Sequence, residues 1–394
     1  MSHSVLACDL STHDEVVAQA HALQPLLRQH AAAGESLRRL PDPVNAALTK
    51  AGLFRLQTPK RFGGYAVGVS TVLEVSEALA EADASASWLV VIGVTGSWLG
   101  ARYAPQAQEE MFGANPDARF AGATNPGTAR RVPGGLSVSG RWPYASGAYH
   151  ADWALVGAVL PDEPEEAMLC AVPATELTLE NTWRTVGMRG TGSDTWVGDD
   201  VFVPDERAVS LGAIAEGDWP QMVDEPLYRL PSVPALMVPA LGPLLGVGRA
   251  ALRFVVDSAQ TKPLAGTTIS RQRESVGLQI RIAEAATRIS TARLHAYDMA
   301  GTLDAAVAEE RTVGYAARAE FRARLGYAAQ QVIDALSILV DAHGAGSFAE
   351  SSLLQQYWRD ANTMARHAGM QATVGYEVYG KSMLGIPERM STTV

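Results

Sequence analysis

Cysteine is scarce in this chain. It holds two, Cys8 and Cys170, in 394 residues. Two cysteines cannot build a disulfide framework, and the expectation is a reducing, cytoplasmic setting. Basic clusters are also missing. Arg38-Arg39 and Arg130-Arg131 are only pairs, and the formal net charge is −10, so no surface for nucleic acid is expected. The N-terminus lacks a basic segment followed by an apolar run, which argues against a signal peptide. The longest apolar stretch, Ser232 to Val247, is interrupted by Pro234, Pro239 and Pro243 and reads as too short to span a membrane. No Cys-x-x-Cys is present and His343 and His367 have no ligand-spaced partners, so no metal site is expected. Ser146 does not sit in a Gly-x-Ser-x-Gly elbow, which argues against a hydrolase triad.

What is present is an ordinary globular composition, 47% apolar and 19% charged, long enough for several lobes. The texture changes twice. From Asp14 to Phe112 the pattern is helical, with Val16-Val17, Ala20, Leu23 and Leu26-Leu27 at helical spacing. Asp42-Pro43 opens a second helix that Gly52 stops. Ser70 to Ala84 and Ser85 to Tyr103 are apolar enough to be buried helices. From Arg119 to Pro204 the period becomes that of strands, clearest at Leu136–Trp142, Ala154–Leu160 and Val197–Val203. From Pro239 onward long Ala-rich, proline-free helices are predicted over Ser270–Ala300, Glu309–Asp341 and Ser351–Gly380. The predicted organisation is three domains: helical over 1–115, an antiparallel β-barrel or sandwich over 116–225, and a four-helix bundle over 226–394.

Four segments carry the chemistry. Gly122-Ala123-Thr124-Asn125-Pro126-Gly127 reads as a Pro-Gly loop after a short strand, offering backbone N–H groups and a hydroxyl to a polar ring edge. Gly140-Arg141-Trp142-Pro143-Tyr144-Ala145-Ser146-Gly147 ends a strand and is followed by His150, which either lines a pocket or makes a structural hydrogen bond. Trp183 to Thr195 is a Gly-rich turn containing Thr191 and Ser193, where missing side chains allow close approach of a ligand. Arg359-Asp360 precedes Arg366-His367-Ala368-Gly369 on what reads as one continuous helix.

Together these segments, spanning roughly Asp14 to Gly380, resemble the acyl-CoA dehydrogenase superfamily. The fold implied is α+β, mostly α. In the dehydrogenases a Glu precedes the Gly of the last helix and removes the substrate α-proton; here that position is Ala368. The second known position for that base holds Ala235. The family's Thr-Glu-Pro-Gly loop has Asn125 in place of Glu, and its Arg-x-x-Phe-Gly phosphate motif is replaced by Ala259 to Arg273, where Lys262, Arg271 or Arg273 remain as phosphate partners. The Trp-Pro-x-x-Ser-Gly strand end looks instead like the two-component, group D flavin-dependent monooxygenases of this fold.

That resemblance implies an oxygenase component supplied with reduced FAD or FMN by a separate NAD(P)H-flavin reductase. O₂ adds at flavin C4a, and the resulting hydroperoxide hydroxylates an electron-rich aromatic such as a phenol, an indole or a polyketide-like ring. Ser146 is implied at flavin N5, and His367 is implied to take a substrate proton or to bond a peroxide. Thr124, Asn125, Trp142, Thr191, Ser193 and Arg271 are the further expected flavin contacts. Trp88 and Tyr103 are possible pocket walls, and Arg359 with Asp360 an expected ion pair. Family members are homotetramers. The alternatives are a dehydrogenase or oxidase with a displaced base (Glu377 is the nearest downstream acid), N-oxygenation of an amine or amino sugar, or a flavin-free binding homologue.

Overall fold

The computed structural model describes residues 10–216, 223–391 and 394; Cys8 lies outside them, and Cys170 is buried and free. The N-terminal half of the fold is helical: α1 (Leu10–Leu37), α2 (Asp42–Lys50), α3 (Val69–Ala80), α4 (Ala84–Gly100) and α5 (Pro105–Phe112). The helical spacing in α1 buries Val16, Ala20 and Leu27 in one cluster with residues of α3 and α4. Pro43 stands at the start of α2, and the chain leaves through Gly52 at φ +71°, where a Cβ would lie 2.6 Å from the Tyr65 hydroxyl. α4 is almost wholly buried, and the Asp83 carboxylate caps it by accepting the Ala86 N–H at 2.9 Å.

Seven strands follow: β1 (Phe120–Val132), β2 (Gly135–Trp142), β3 (Trp153–Leu160), β4 (Glu163–Pro173), β5 (Thr178–Glu180), β6 (Thr195–Pro204) and β7 (Ala208–Ser210). They form one sheet in the order β5-β6-β2-β1-β3-β4-β7. Two expectations are corrected here. The sheet is mixed, because β1 and β3 pair in parallel. β2 turns back antiparallel on one edge of β1, and the segment after it carries the chain across to the other edge. The Thr124-Asn125-Pro126-Gly127 stretch is also not a loop after a short strand. It lies inside β1 as a bulge, with the pairing to β3 shifting between Ala123 and Gly127. A bulge leaves ladder positions unpaired, which is how Pro126 is tolerated within a strand.

The remaining helices are α6 (Leu211–Glu216), α7 (Ser232–Met237), α8 (Leu241–Ala259), α9 (Val276–Ala308), α10 (Tyr315–His343), α11 (Leu353–Met364) and α12 (Ala372–Met383). α10 lies at the centre, packed on α8, α9, α11 and α12. Alanines such as Ala292, Ala296, Ala328 and Ala335 are fully buried and let the long helices approach closely. The apolar run from Ser232 continues through α7, a turn at 238–240 and α8 to Ala259, further than its prolines suggest. By length and composition it is long enough to cross a membrane, yet 78% of its most apolar window is buried inside the protein. The continuous helix expected over Ser351–Gly380 is broken. α11 ends at Met364, a single 3₁₀ turn spans Ala368–Met370, and α12 starts at Ala372.

Candidate active site

The β2 strand delivers Ser146. Trp142, at the end of β2, is fully buried and donates its indole N–H to the Gly157 carbonyl at 2.8 Å. Cβ atoms at Gly127 and Gly140 would lie 2.8 and 2.7 Å from its ring, so the ring lies directly under the β1 bulge. Trp142 was expected at the flavin. Its only polar atom is spent inside the sheet, so it supports the bulge from beneath. Past it the backbone reverses through Tyr144 at φ +66° and Gly147 at φ +84°. The Ala145 N–H donates to the Asp194 carbonyl at 3.1 Å and the Gly147 N–H to the Thr191 carbonyl at 2.9 Å. Ser146 is thereby tied to the Gly-rich turn.

That turn is held by α11. The Asp360 carboxylate is buried and accepts the Met188 N–H at 2.6 Å, where Met188 is left-handed at φ +53°. A Cβ on Gly187 would fall 2.3 Å from the Arg359 carbonyl oxygen, so only glycine lets the turn lie on α11. Arg359 and Asp360, expected to pair with each other, have separate tasks. Arg359 donates to the Val186 carbonyl and meets Glu35 at 3.2 Å, and Glu35 also faces Arg189 at 3.8 Å. Desolvation pushes Asp360 up to about 7, against the lowering effect of the Met188 hydrogen bond.

The side chains then meet. The Ser146 and Ser193 hydroxyls are 2.7 Å apart, and those of Ser193 and Thr191 are 2.7 Å apart. Thr191 donates to the Met188 carbonyl at 2.8 Å. From the other side the Trp88 indole N–H of α4 points at the Ser146 oxygen at 3.4 Å. The Trp88 ring meets the His367 ring edge-on, centroids 5.8 Å apart. Ser146 and His367, chosen from segments far apart in sequence, are therefore joined through Trp88, which the sequence marked only as a possible wall.

His367 caps the 3₁₀ turn, its Nδ1 accepting the Gly369 N–H at 3.1 Å. Arg322 of α10 braces the turn after the break: it donates to the carbonyls of Ala368 at 2.6 Å, Gly369 at 2.8 Å and Gln371 at 3.4 Å. Arg322 was not foreseen. Its signal was a charged residue among the apolar positions Phe321, Ala323 and Leu325 of a core helix. His367 is exposed, with its ring against Trp88 on one side. Desolvation, then the nearby Arg322 charge, holds its imidazole below the usual value. The ring is neutral near pH 7. With Nδ1 accepting, its proton sits on Nε2. In this tautomer the free ring nitrogen, Nε2, is a hydrogen-bond donor.

The other expected site residues are more dispersed. Thr124 and Asn125 are exposed on the β1 bulge, with their carbonyls against Gly157. Arg271 is an exposed residue between α8 and α9, bonded to Glu274 at 2.8 Å. Lys262 donates to the His343 carbonyl at 2.7 Å. His150 contacts the Leu40 carbonyl at 2.9 Å, the structural alternative for that residue. Behind Ser146 and Gly147 lies a cavity of about 20 Å³, bordered also by Phe54, Arg119 and His150. It has room for about one water and none for a substrate. Among the described residues no group of three or more His, Cys, Asp or Glu could hold a metal ion.

The acyl-CoA dehydrogenase C-terminal domain family matches residues 240–372. The flavin-dependent monooxygenase oxygenase subunit HsaA of Rhodococcus jostii is 31% identical over 372 residues, covering 93% of this chain and 97% of that one. The chain belongs to the oxygenase components of the flavin-dependent monooxygenases with the acyl-CoA dehydrogenase fold. The FADH(2)-dependent resorcinol hydroxylase oxygenase component of a Rhizobium species is likewise 31% identical, covering 98% of both chains. XiaF from a Streptomyces species, solved in complex with FADH2 and glycerol, superposes with a TM-score of 0.91 at 37% identity, covering 97% of this chain and 98% of that one. This oxygenase component is a reduced-flavin-dependent monooxygenase. Its site agrees with that assignment. Ala368 and Ala235 leave both dehydrogenase base positions without an acid, and Glu377 is exposed on α12.

Proposed function

We infer that this oxygenase component hydroxylates an electron-rich aromatic ring, with reduced FAD or FMN delivered by a separate reductase and O₂ as the oxygen source. The observation that carries this reading is the junction of Ser146, Trp88 and His367 beside a backbone bulge. The residues fit a flavin. Thr124 to Pro126 leave the ladder to β3, and a Cβ on Gly122 would meet nothing within 4 Å. That leaves an open edge of backbone polar groups suited to a flat, polar ring. Ser146 would meet flavin N5, Thr124 and Asn125 would line the ring, and Arg271 or Lys262 would meet the phosphate. When bound, reduced flavin with O₂ supplies an electrophilic oxygen atom.

The chain's own residues do the rest. His367 donates from Nε2 to a substrate oxygen. Such a bond is strongest to a phenolate, so it holds a phenol in its more electron-rich form. Trp88 fixes the distance between that substrate and Ser146. Names of the relatives, among them a resorcinol hydroxylase and an indole-3-acetate monooxygenase, support an aromatic substrate. A homotetramer is supported by Val276, Ile280 and Leu294, an exposed apolar stripe on one face of α9.

The test is product analysis with a generic flavin reductase, NADH and a panel of phenols, indoles and amines, run with wild type and His367→Ala. Oxygenated phenol or indole is expected from wild type. His367→Ala is expected to bind reduced flavin normally and to lose substrate affinity. Oxygenated amines alone, or unchanged phenol turnover in the variant, would overturn the reading.

A further inference from the structure

The hydroxyls of Thr191, Ser193 and Ser146 form a chain whose direction is fixed. A carbonyl has no proton to give, so at 2.8 Å the Thr191 hydroxyl donates to the Met188 oxygen, which also takes the Trp183 indole N–H at 2.8 Å. Toward Ser193, 2.7 Å away, Thr191 is then only an acceptor, and Ser193 must donate. With its proton committed, Ser193 in turn can only accept from Ser146 at 2.7 Å. At the far end the Trp88 indole N–H is a donor with no acceptor capacity, and it points at the same Ser146 oxygen at 3.4 Å. The three hydroxyls are 2%, 4% and 9% exposed in the order Thr191, Ser193, Ser146, so bulk water does not compete for these bonds. Ser146 has given its proton away inward. Toward a ligand it has only a lone pair to offer.

Reduced flavin carries a proton on N5 and donates there. Oxidised flavin has a bare N5 that accepts. Resting on the reading that Ser146 meets flavin N5, we propose that Thr191 and Ser193 are positioning residues that make Ser146 an obligate acceptor, so that the site selects reduced over oxidised flavin. Oxidised flavin sets two lone pairs against each other. To donate to it, Ser146 must reverse its O–H, which strips the buried Ser193 oxygen of its incoming donor. An oxygenase fed by diffusing reduced flavin works among oxidised flavin molecules, and this polarity keeps them from occupying the site.

The experiment measures dissociation constants of the full-length protein for oxidised FAD and FMN by fluorescence quenching, and for the chemically reduced flavins by anaerobic titration. Wild type is expected to favour the reduced form. Thr191→Val keeps the side-chain shape and removes the anchor, so Ser193 can turn its proton toward Ser146, and Ser146 its own toward N5. Ser193→Ala removes the acceptor for the Ser146 proton. In both variants the oxidised-to-reduced ratio of dissociation constants is expected to fall about tenfold, chiefly through tighter oxidised binding. That corresponds to about 30 mV in the midpoint potential of the bound two-electron couple. Thr191→Ser restores the hydroxyl and the wild-type ratio. A wild-type ratio in both Thr191→Val and Ser193→Ala, while Ser146→Ala changes flavin affinity, would overturn the polarity argument and leave the N5 contact standing. Unchanged affinities in Ser146→Ala would refute the N5 contact itself. Equal weakening of both redox forms in Thr191→Val, not restored by Thr191→Ser, would mean that Thr191 merely supports the turn, and would also overturn the proposal.

Discussion

Asp360 offers a quantitative test of how the site is held. Its carboxylate is 3% exposed and has one hydrogen bond of known direction, from the Met188 N–H at 2.6 Å. Burial moves it from 3.8 to about 7. The sign follows from proton counting: the folded protein binds a proton at Asp360 up to about pH 7, whereas the unfolded chain releases it near pH 4. Asp360 therefore costs stability increasingly as pH rises between these values. At about 1.4 kcal/mol per pH unit, the cost at pH 8 exceeds that at pH 5.5 by roughly 2 kcal/mol. Asp360→Asn retains an oxygen to accept the Met188 N–H and removes the titration. Urea unfolding of wild type and variant at one fixed protein concentration, at pH 5.5 and pH 8, should show the variant gaining about 2 kcal/mol on wild type over that interval. Asp360→Ala instead leaves the buried Met188 N–H without its partner. It should lose about 1–3 kcal/mol at pH 5.5 and weaken reduced-flavin binding through the loosened turn. Parallel pH profiles for wild type and Asp360→Asn would refute the buried-carboxylate reasoning. Unchanged flavin affinity in Asp360→Ala would refute the link from α11 to Ser146.

Gly187→Ala places a methyl 2.3 Å from the Arg359 carbonyl and 2.5 Å from the Thr363 hydroxyl, both parts of α11. A loss of about 1–3 kcal/mol, read as a lower Tm, is expected together with weaker flavin binding. Leu294, 70% exposed on the apolar stripe of α9, should be required for self-association, so Leu294→Glu is expected to elute from size exclusion as a smaller species. The lowered imidazole of His367 contributes stability that is complete above about pH 6.5 and declines as pH falls through its folded value, because a proton on Nδ1 expels the Gly369 N–H. His367→Gln should lack that acidic limb in its stability profile.

The helices of the N-terminal half and the strands β2, β3 and β6 were legible as apolar runs of the right length and residue type, bounded by turn residues. Three features were not. The β1 strand runs through Asn125-Pro126-Gly127 because a bulge excuses Pro126 from the ladder, and only pairing with β3 reveals a bulge. The parallel contact of β1 with β3 depends on which edge of β1 the chain reaches after β2, and no residue between them encodes that edge. The break between α11 and α12 is held by Arg322 on α10, which bonds the carbonyls of Ala368, Gly369 and Gln371. Within the site, Ser146 and His367 were found as chemistry-bearing types in family-like segments. Thr191 and Ser193 were found too, though their hydroxyls point to each other and to Ser146. Trp88 was visible only as an aromatic on a buried helix, and its junction role comes from packing.

The loss of an acid at position 368 has a structural counterpart in the break of the helix. An uninterrupted helix through Gly369 would commit the backbone N–H groups of this segment to carbonyls one turn earlier. Beyond the end of α11 the Gly369 N–H is given to His367 Nδ1, while Arg322 holds the carbonyls of Ala368, Gly369 and Gln371. That single bond sets the tautomer, and the tautomer makes His367 a donor at Nε2. Asp360, on the last turns of the same helix, fixes Met188, and through Met188 the direction of the hydroxyl chain that ends at Ser146. One helix thus sets the polarity of both groups: a donor at His367 and an acceptor at Ser146, which the proposed function turns toward substrate and flavin. A carboxylate base needs neither device, since an ionised acid is an acceptor in every orientation. Replacing it with two neutral groups of opposite polarity requires that each proton be held in place. The contacts of Arg322 and Asp360 with the backbone do that.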